Sequence, residues 1–178
     1  MNKQTKLLMA FLVLSLCIIS CSKHKSDADE IHILERDLTP CPANGNCKYQ
    51  FTEHADFNTE EYTPKSGEYR LFSANVNANG VGFLLYIKAP MKGNSFLLNK
   101  QDVISGRVKL INTCASCLST ALEPTDGYVK GINLTPGKPA DQTKWIIEAS
   151  ITMGTKTTAQ TNNVVNLKQY FYPNFVLN

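Results

Sequence analysis

Residues 145–153 read Trp-Ile-Ile-Glu-Ala-Ser-Ile-Thr-Met, and their pattern is the clearest indication of the fold class. Every second residue from Trp145 to Met153 is apolar, and three of the four residues between them are polar: Glu148, Ser150 and Thr152. Successive side chains of a β-strand point to opposite faces of the sheet. The pattern therefore predicts a strand with one buried face.

Shorter segments on the N-terminal side repeat this signal. Apolar residues alternate at 47–51, 69–71 and 108–110, whereas residues 83–87 are apolar on both faces. The second pattern is typical of a central strand that is covered on both sides. The final segment, 164–177, alternates until Pro173, which cannot donate a ladder hydrogen bond. We therefore expect a C-terminal strand that bends or reaches a sheet edge at Pro173.

Turn-forming residues separate these segments at short intervals: Pro64, Gly67, Gly80, Pro90, Gly93, Gly106, Gly127 and Gly137. Parallel strands would need helical crossovers of about a dozen residues or more, and no long segment has helical periodicity. The sequence therefore predicts an all-β domain over residues 31–178, a single antiparallel β-sandwich or barrel of about eight or nine strands.

The first twenty residues have the parts of a secretory leader. Lys3 and Lys6 supply a positive start, and residues 7–19 are apolar except for Ser15. At 1.5 Å per residue, this stretch would form a helix of roughly 20 Å, well short of the hydrocarbon core of about 30 Å. Residues 1–20 are therefore predicted to be a signal peptide rather than a membrane span.

The leader ends in Ile18-Ile19-Ser20-Cys21, which resembles the lipobox of bacterial lipoproteins. A small residue precedes Cys21, whereas the bulky Leu16 precedes Cys17. The resemblance implies cleavage in front of Cys21, a thioether-linked diacylglycerol on its sulfur and a further acyl chain on the new amino terminus. Two or three chains would make membrane attachment effectively permanent.

Residues 22–30 are polar and aperiodic, so residues 21–30 are predicted to be the lipidated cysteine and a flexible tether with a reach of roughly 15–18 Å. This start is also similar to lipoproteins of the Bacteroidota type, many of which lie at the outer membrane. We therefore expect a cell-envelope location, at the outer membrane, on its periplasmic face or the cell surface. The membrane would be a partner through the lipid anchor.

Charge patterning gives no indication of nucleic-acid binding. The chain has 18 basic and 15 acidic residues; Lys3 and Lys6 leave with the leader, so 16 and 15 remain, a net charge of +1. Without a basic stripe we expect no nucleic-acid partner. We expect a solvated sheet face to carry the cations that lie among apolar strand positions: Arg70, Lys88, Lys92, Lys100, Arg107 and Lys109.

Four cysteines follow the predicted lipidation site: Cys41, Cys47, Cys114 and Cys117. In an oxidising compartment they would pair, and three connectivities are open. Loop entropy gives roughly 2 kcal/mol for each local ring and about 4 kcal/mol for a cross-link between the clusters. Proximity and the turn residues at 42–46 favour the local pairing, Cys41 with Cys47 and Cys114 with Cys117.

Cys114 and Cys117 also allow an alternative function, a periplasmic disulfide oxidoreductase. Such a Cys-x-x-Cys pair needs a helix N-terminus to stabilise the thiolate, and Pro124 leaves room for only a turn or two of helix. Thr113 also stands where thioredoxin-like proteins commonly have tryptophan. A four-thiolate zinc site is disfavoured because the Cys41–Cys47 spacing is too long for the usual knuckle. We therefore predict no metal and no cofactor.

A small envelope hydrolase is a third hypothesis. The folded part has His32 and His54, and residues 56–61 include the carboxylates Asp56, Glu60 and Glu61. No nucleophile or zinc-protease motif accompanies them, so we expect an exposed loop histidine at 54 and a solvated acidic loop, with no catalytic residues.

The tyrosines of the chain indicate a binding function more directly. Tyr170-Phe171-Tyr172 places aromatic side chains on both faces of one predicted strand, so at least one faces outward. Exposed tyrosines stack on sugar rings and donate hydrogen bonds. Tyr170 and Tyr172 are our candidate ligand-facing aromatics. The leading hypothesis is a non-enzymatic, lipid-anchored binding or structural accessory protein whose partner is a glycan, an envelope protein or an apolar small molecule.

Overall fold

The computed structural model describes residues 31–113, 122–155 and 163–175. These residues form nine strands: β1 (Gly45–Phe57), β2 (Pro64–Ser66), β3 (Tyr69–Ala78), β4 (Val81–Pro90), β5 (Ser95–Leu98), β6 (Val108–Asn112), β7 (Glu123–Asn133), β8 (Trp145–Gly154) and β9 (Asn163–Pro173). Short helical segments lie at Lys100–Asp102, Val103–Arg107 and Ala140–Gln142. The predicted all-β class and number of strands are confirmed for this part of the chain.

The strands form one sheet in the order β5-β7-β8-β9-β1-β3-β4-β6, and β2 pairs with the end of β1. The sheet is mixed because β9 runs parallel to β1, with Gln50 opposite Tyr172 and Phe51 opposite Pro173. It curls into a half-barrel. The predicted antiparallel β-sandwich or barrel is therefore confirmed only as an all-β fold, because the sheet is mixed and does not form a clear closed antiparallel sandwich. The crossover argument applies to strands joined directly, whereas seven other strands lie between β1 and β9 in the chain.

The main core lies on one face of the curled sheet. Phe72 on β3 lies at its centre, with ring centroids of four other aromatic residues within 5.6 Å: Phe51, Phe96, Trp145 and Phe171. These partners come from β1, β5, β8 and β9. The cluster therefore joins both halves of the sheet through one set of aromatic contacts.

Two predicted strands bury the faces that their patterns indicated. On β8 the five alternating apolar residues are at most 3% exposed: Trp145, Ile147, Ala149, Ile151 and Met153. On β4, Leu85 and Ile87 belong to the main core, while Tyr86 belongs to a second cluster on the opposite face. The prediction that this segment is covered on both sides is confirmed.

A β-bulge in β1 lets one strand serve both clusters. The β1–β3 register shifts between Thr52 and Ala55, and His54 has a φ of 53°. Before the shift, Phe51 packs in the main core; after it, Ala55 and Phe57 pack in the second cluster with Leu71 and Tyr86. The extra residue reverses which face the odd-numbered side chains occupy. His54 is thus exposed, as expected, but it lies in a strand rather than in a loop.

Arg70 contradicts the expectation of a solvated cationic sheet face, because it is only 7% exposed. Its guanidinium lies 4.5 Å from the centroid of the Trp145 ring and forms an ion pair with Glu53 at 3.0 Å. It also donates hydrogen bonds to the carbonyl oxygens of Pro90 and Met91. Three of the other cations form ion pairs with acidic partners: Lys88 with Asp56, Lys100 with Asp126, and Arg107 with Asp102.

The C-terminal strand does not lie at a sheet edge. β9 pairs with β8 on one side and with β1 on the other. The strand ends at Pro173, and the Asn174 N–H then donates to the Phe51 carbonyl at 2.7 Å. β9 therefore links the two halves of the sheet.

Candidate ligand-binding surface

Cys41 and Cys47 form a disulfide, with Cα atoms 5.9 Å apart, which agrees with the local pairing. The Gly45 N–H donates to the Pro42 carbonyl at 2.8 Å and closes the turn between them. A Cβ at position 45 would lie 2.8 Å from that same oxygen and 3.3 Å from the Cys41 Sγ. The turn therefore requires glycine.

Cys21, Cys114 and Cys117 lie outside the described residues. Lipidation of Cys21, the second disulfide and the oxidoreductase hypothesis accordingly stay predictions.

The segment before the disulfide is held against β9. The Thr39 N–H donates to the Lys168 carbonyl at 2.9 Å, and the Lys168 N–H donates to Thr39 Oγ1 at 2.8 Å. Gln169 Nε2 donates to the Thr39 carbonyl at 3.1 Å. These bonds fix the approach of the chain to Cys41, and with it the position of the disulfide beside β9.

Tyr170 is held in place by polar contacts around its ring. Its hydroxyl donates to Glu35 Oε2 at 2.8 Å, and Lys144 Nζ lies 3.5 Å from the ring centroid. The hydrogen bond to Glu35 raises the pKa of Tyr170, because the carboxylate accepts the phenolic proton's hydrogen bond and stabilises the protonated form. Lys144 covers one face of the Tyr170 ring. Tyr170 is therefore better placed to line the side of a binding site than to stack against a ligand.

Tyr172 lies on the same face of β9, two residues further along, and is 52% exposed. Both tyrosines line a shallow depression of about 700 Å³ beside the disulfide, together with Lys48, Gln50 and Gln169. The structure thus brings the two predicted aromatics to one surface. Of the two, Tyr172 has the more exposed ring.

A second depression, of about 410 Å³, continues this surface across the sheet. It shares Lys48 and Gln50 with the first and adds Ser73 and Asn75 from β3. In the strand register Tyr172 is opposite Gln50, and Gln50 is opposite Ser73. We call this surface the Tyr172 strip, and its residues are Lys48, Gln50, Ser73, Asn75, Tyr170 and Tyr172.

The sequence patterns identified only the tyrosines of the strip, although the alternation of polar and apolar residues also marks its polar side chains. Lys48 and Gln50 alternate with the apolar residues of β1, and Ser73 and Asn75 do so on β3. Such alternation identifies the solvent face of each strand. It does not show which strands are neighbours, so the residues could not be joined into one surface.

The three candidate carboxylates lie in two different settings, one in a strand and two in a connection. Asp56 lies in β1, not in a loop, and forms an ion pair with Lys88. Burial works to raise the pKa of Asp56, but Lys88 and the Phe57 N–H together hold that pKa below its usual range. Glu60 and Glu61 are exposed in the connection to β2.

A third depression, of about 370 Å³, has a single carboxylate, Glu53, among its lining residues. Glu53 is the partner of Arg70. Acid–base hydrolysis of a glycoside needs two carboxyl groups facing one bond, and the described residues of this depression supply one.

His32 and His54 are both exposed. Within the described ranges, no group of three or more histidine, cysteine or acidic side chains is placed to hold a metal ion. The same part of the chain contains no helix that is both long and apolar enough to cross a membrane.

Comparison with known proteins gives no further assignment. No family model matches the chain, and neither the curated proteins nor the solved structures that were searched yield a match.

Proposed function

We propose that the protein is a lipid-anchored lipoprotein of the cell envelope, held at the outer membrane through Cys21, which acts as a non-enzymatic binding accessory. Its ligand would contact the Tyr172 strip. The observation that carries the binding role is a half-exposed Tyr172 ring set among polar side chains in a depression beside a disulfide. Exposed aromatic rings with convergent polar groups are typical of recognition sites.

The anchoring part is supported by the leader and by the residue in front of each cysteine. Ser20 is small enough for lipoprotein-type cleavage before Cys21, whereas Leu16 precedes Cys17. The Cys41–Cys47 disulfide is compatible with an oxidising compartment outside the cytoplasm.

Metabolic labelling tests the anchor. A Gram-negative host that expresses the full chain is fed an alkyne analogue of palmitate, and the protein is then examined for label and for fractionation with membranes. We expect the wild-type protein to be labelled and to sediment with the outer membrane. Cys21→Ala should lose the label and should no longer sediment with the outer membrane.

Cys17→Ala is the matched control, because it removes the neighbouring cysteine and leaves the cleavage motif intact. It should be labelled as strongly as the wild type. An unlabelled wild-type protein, or a Cys21→Ala variant that keeps the label, would overturn the anchoring proposal.

A further inference from the structure

We propose that the ligand of the Tyr172 strip is a neutral glycan, with a sugar ring stacked on Tyr172 and its hydroxyls bonded to the polar side chains. This inference rests on the proposed binding function and names the class of ligand. Three properties of the strip carry it: its chemistry, its shape and its rigidity.

The chemistry of the lining suits a ligand rich in hydroxyl groups. Gln50, Ser73 and Asn75 both donate and accept hydrogen bonds, as sugar hydroxyls do. Among the described residues that line the two depressions, Lys48 alone is charged, and the Lys144 and Glu35 side chains that contact Tyr170 carry opposite charges. Two cations beside one carboxylate are too few to select a polyanion. The amide side chains disfavour an apolar ligand because their polar groups would lose water without replacement.

The shape of the strip suits a ligand that lies across the strands. Tyr172, Gln50 and Ser73 occupy one register row on β9, β1 and β3. Neighbouring strands are about 4.8 Å apart, so this row extends roughly 10 Å. A linear chain of two or more sugar rings can therefore contact the tyrosine at one end and the hydroxyl and amide groups further along.

The strip is built on fixed elements. The disulfide holds the rim beside β1, and the Glu35 hydrogen bond holds Tyr170. Tyr172 lies on β9 where that strand pairs with β1. A surface that is rigid before binding loses less conformational entropy when the ligand arrives.

Isothermal titration of the lipidated full chain, in a detergent without a sugar headgroup, tests the ligand class. The neutral probes are maltohexaose, cellohexaose and N-acetylchitohexaose, and the anionic probe is dextran sulfate. We expect at least one neutral probe to bind. Tyr172→Ala should weaken its binding about fivefold, as loss of one stacking contact implies, while Tyr172→Phe should retain it.

Tyr62→Ala is the matched control, because Tyr62 is 50% exposed and lies outside the strip. It should bind like the wild type. Binding of a neutral probe that is unchanged in Tyr172→Ala would overturn the strip as the site, and with it the proposed binding surface. If no neutral probe binds, the glycan inference is overturned and the binding function is not. Binding of dextran sulfate that depends on Tyr172 would also overturn the glycan inference, but it would support the binding function.

Discussion

Arg70 illustrates how a charged side chain is accommodated at the margin of the aromatic core. Glu53, two backbone carbonyls and the face of Trp145 together surround its guanidinium. Glu53 remains 41% exposed, so only the cation is fully withdrawn from water. The alternating pattern of β3 assigns Arg70 to one face of the strand. The sequence did not show that Trp145 would lie beside Arg70 on that face.

Replacing Arg70 by alanine should lower the free energy of unfolding by about 2–3 kcal/mol, because the ion pair and the contact with Trp145 are both lost. Urea denaturation monitored by tryptophan fluorescence measures this change. Arg107→Ala is the control: its ion pair with Asp102 is 3.6 Å long and partly exposed, so we expect a loss of less than about 1 kcal/mol. Equal losses in the two variants would refute the assigned role of Arg70.

Asp56 should make stability depend on pH. Its pKa is lower in the folded protein than in the unfolded chain, so the unfolded chain binds the proton more readily. The unfolded pKa of an aspartate is about 3.9. The stabilisation from Asp56 is therefore fully present above this pH, and it is lost as the pH falls from there through the lower pKa of the folded state.

Asp56→Asn should therefore lower the free energy of unfolding by about 1 kcal/mol at pH 7 and by much less near pH 3. Urea denaturation at both pH values measures the difference. Asp126→Asn is the comparison variant. Lys100 and the Gly127 N–H lower the pKa of Asp126 as well, but these contacts are exposed to solvent. A penalty for Asp56→Asn that does not shrink at acid pH would be inconsistent with this linkage.

Among the strands, β1 depends on its bulge to reach two clusters. His54 adopts a left-handed conformation there, and the Gly67 N–H donates to its carbonyl at 2.9 Å. The side chain itself is exposed. Its contribution to the fold is therefore made by the backbone rather than by the imidazole.

His54→Gly should raise the free energy of unfolding by about 0.5 kcal/mol, because glycine adopts a positive φ without steric cost. His54→Val should lower it by about 1–2 kcal/mol, because a β-branched side chain is strained in that conformation. Thermal unfolding followed by circular dichroism compares the two variants. If valine is tolerated as well as glycine, the bulge does not constrain this position.

The strands could be predicted from the sequence more fully than their arrangement. Alternation around Trp145 and the apolar run at 83–87 identify β8 and β4 because each pattern is local. The parallel pairing of β1 with β9 brings together Gln50 and Tyr172, which are distant in the chain and joined by no turn. The Tyr172 strip depends on this pairing, so only its tyrosines could be identified beforehand.

For the molecule as a whole, the ends of the folded part meet beside β9. The N-terminal segment forms hydrogen bonds with Lys168 and Gln169, and the Cys41–Cys47 disulfide fixes where that segment joins β1.

The double substitution of Cys41→Ser with Cys47→Ser should lower the free energy of unfolding by about 2 kcal/mol, because the unfolded chain regains the loop entropy of a short ring. Urea denaturation under non-reducing conditions measures this loss.

The same double variant should bind a strip ligand more weakly, because the rim of the depression is no longer fixed. Gly45→Ala is a useful companion, since it crowds the same turn and leaves both cysteines in place. A double variant that keeps the stability of the wild type would show that the disulfide does not brace this end of the sheet.

We propose above all that this β-domain is exported and held at a membrane by lipid on one cysteine. Intact-mass and peptide mass spectrometry of the protein purified from a Gram-negative membrane fraction tests it most directly. We expect a chain that begins at Cys21, with a diacylglycerol on the sulfur and an acyl chain on the amino group. A chain that still carries residues 1–20, or a Cys21 thiol without lipid, would contradict it.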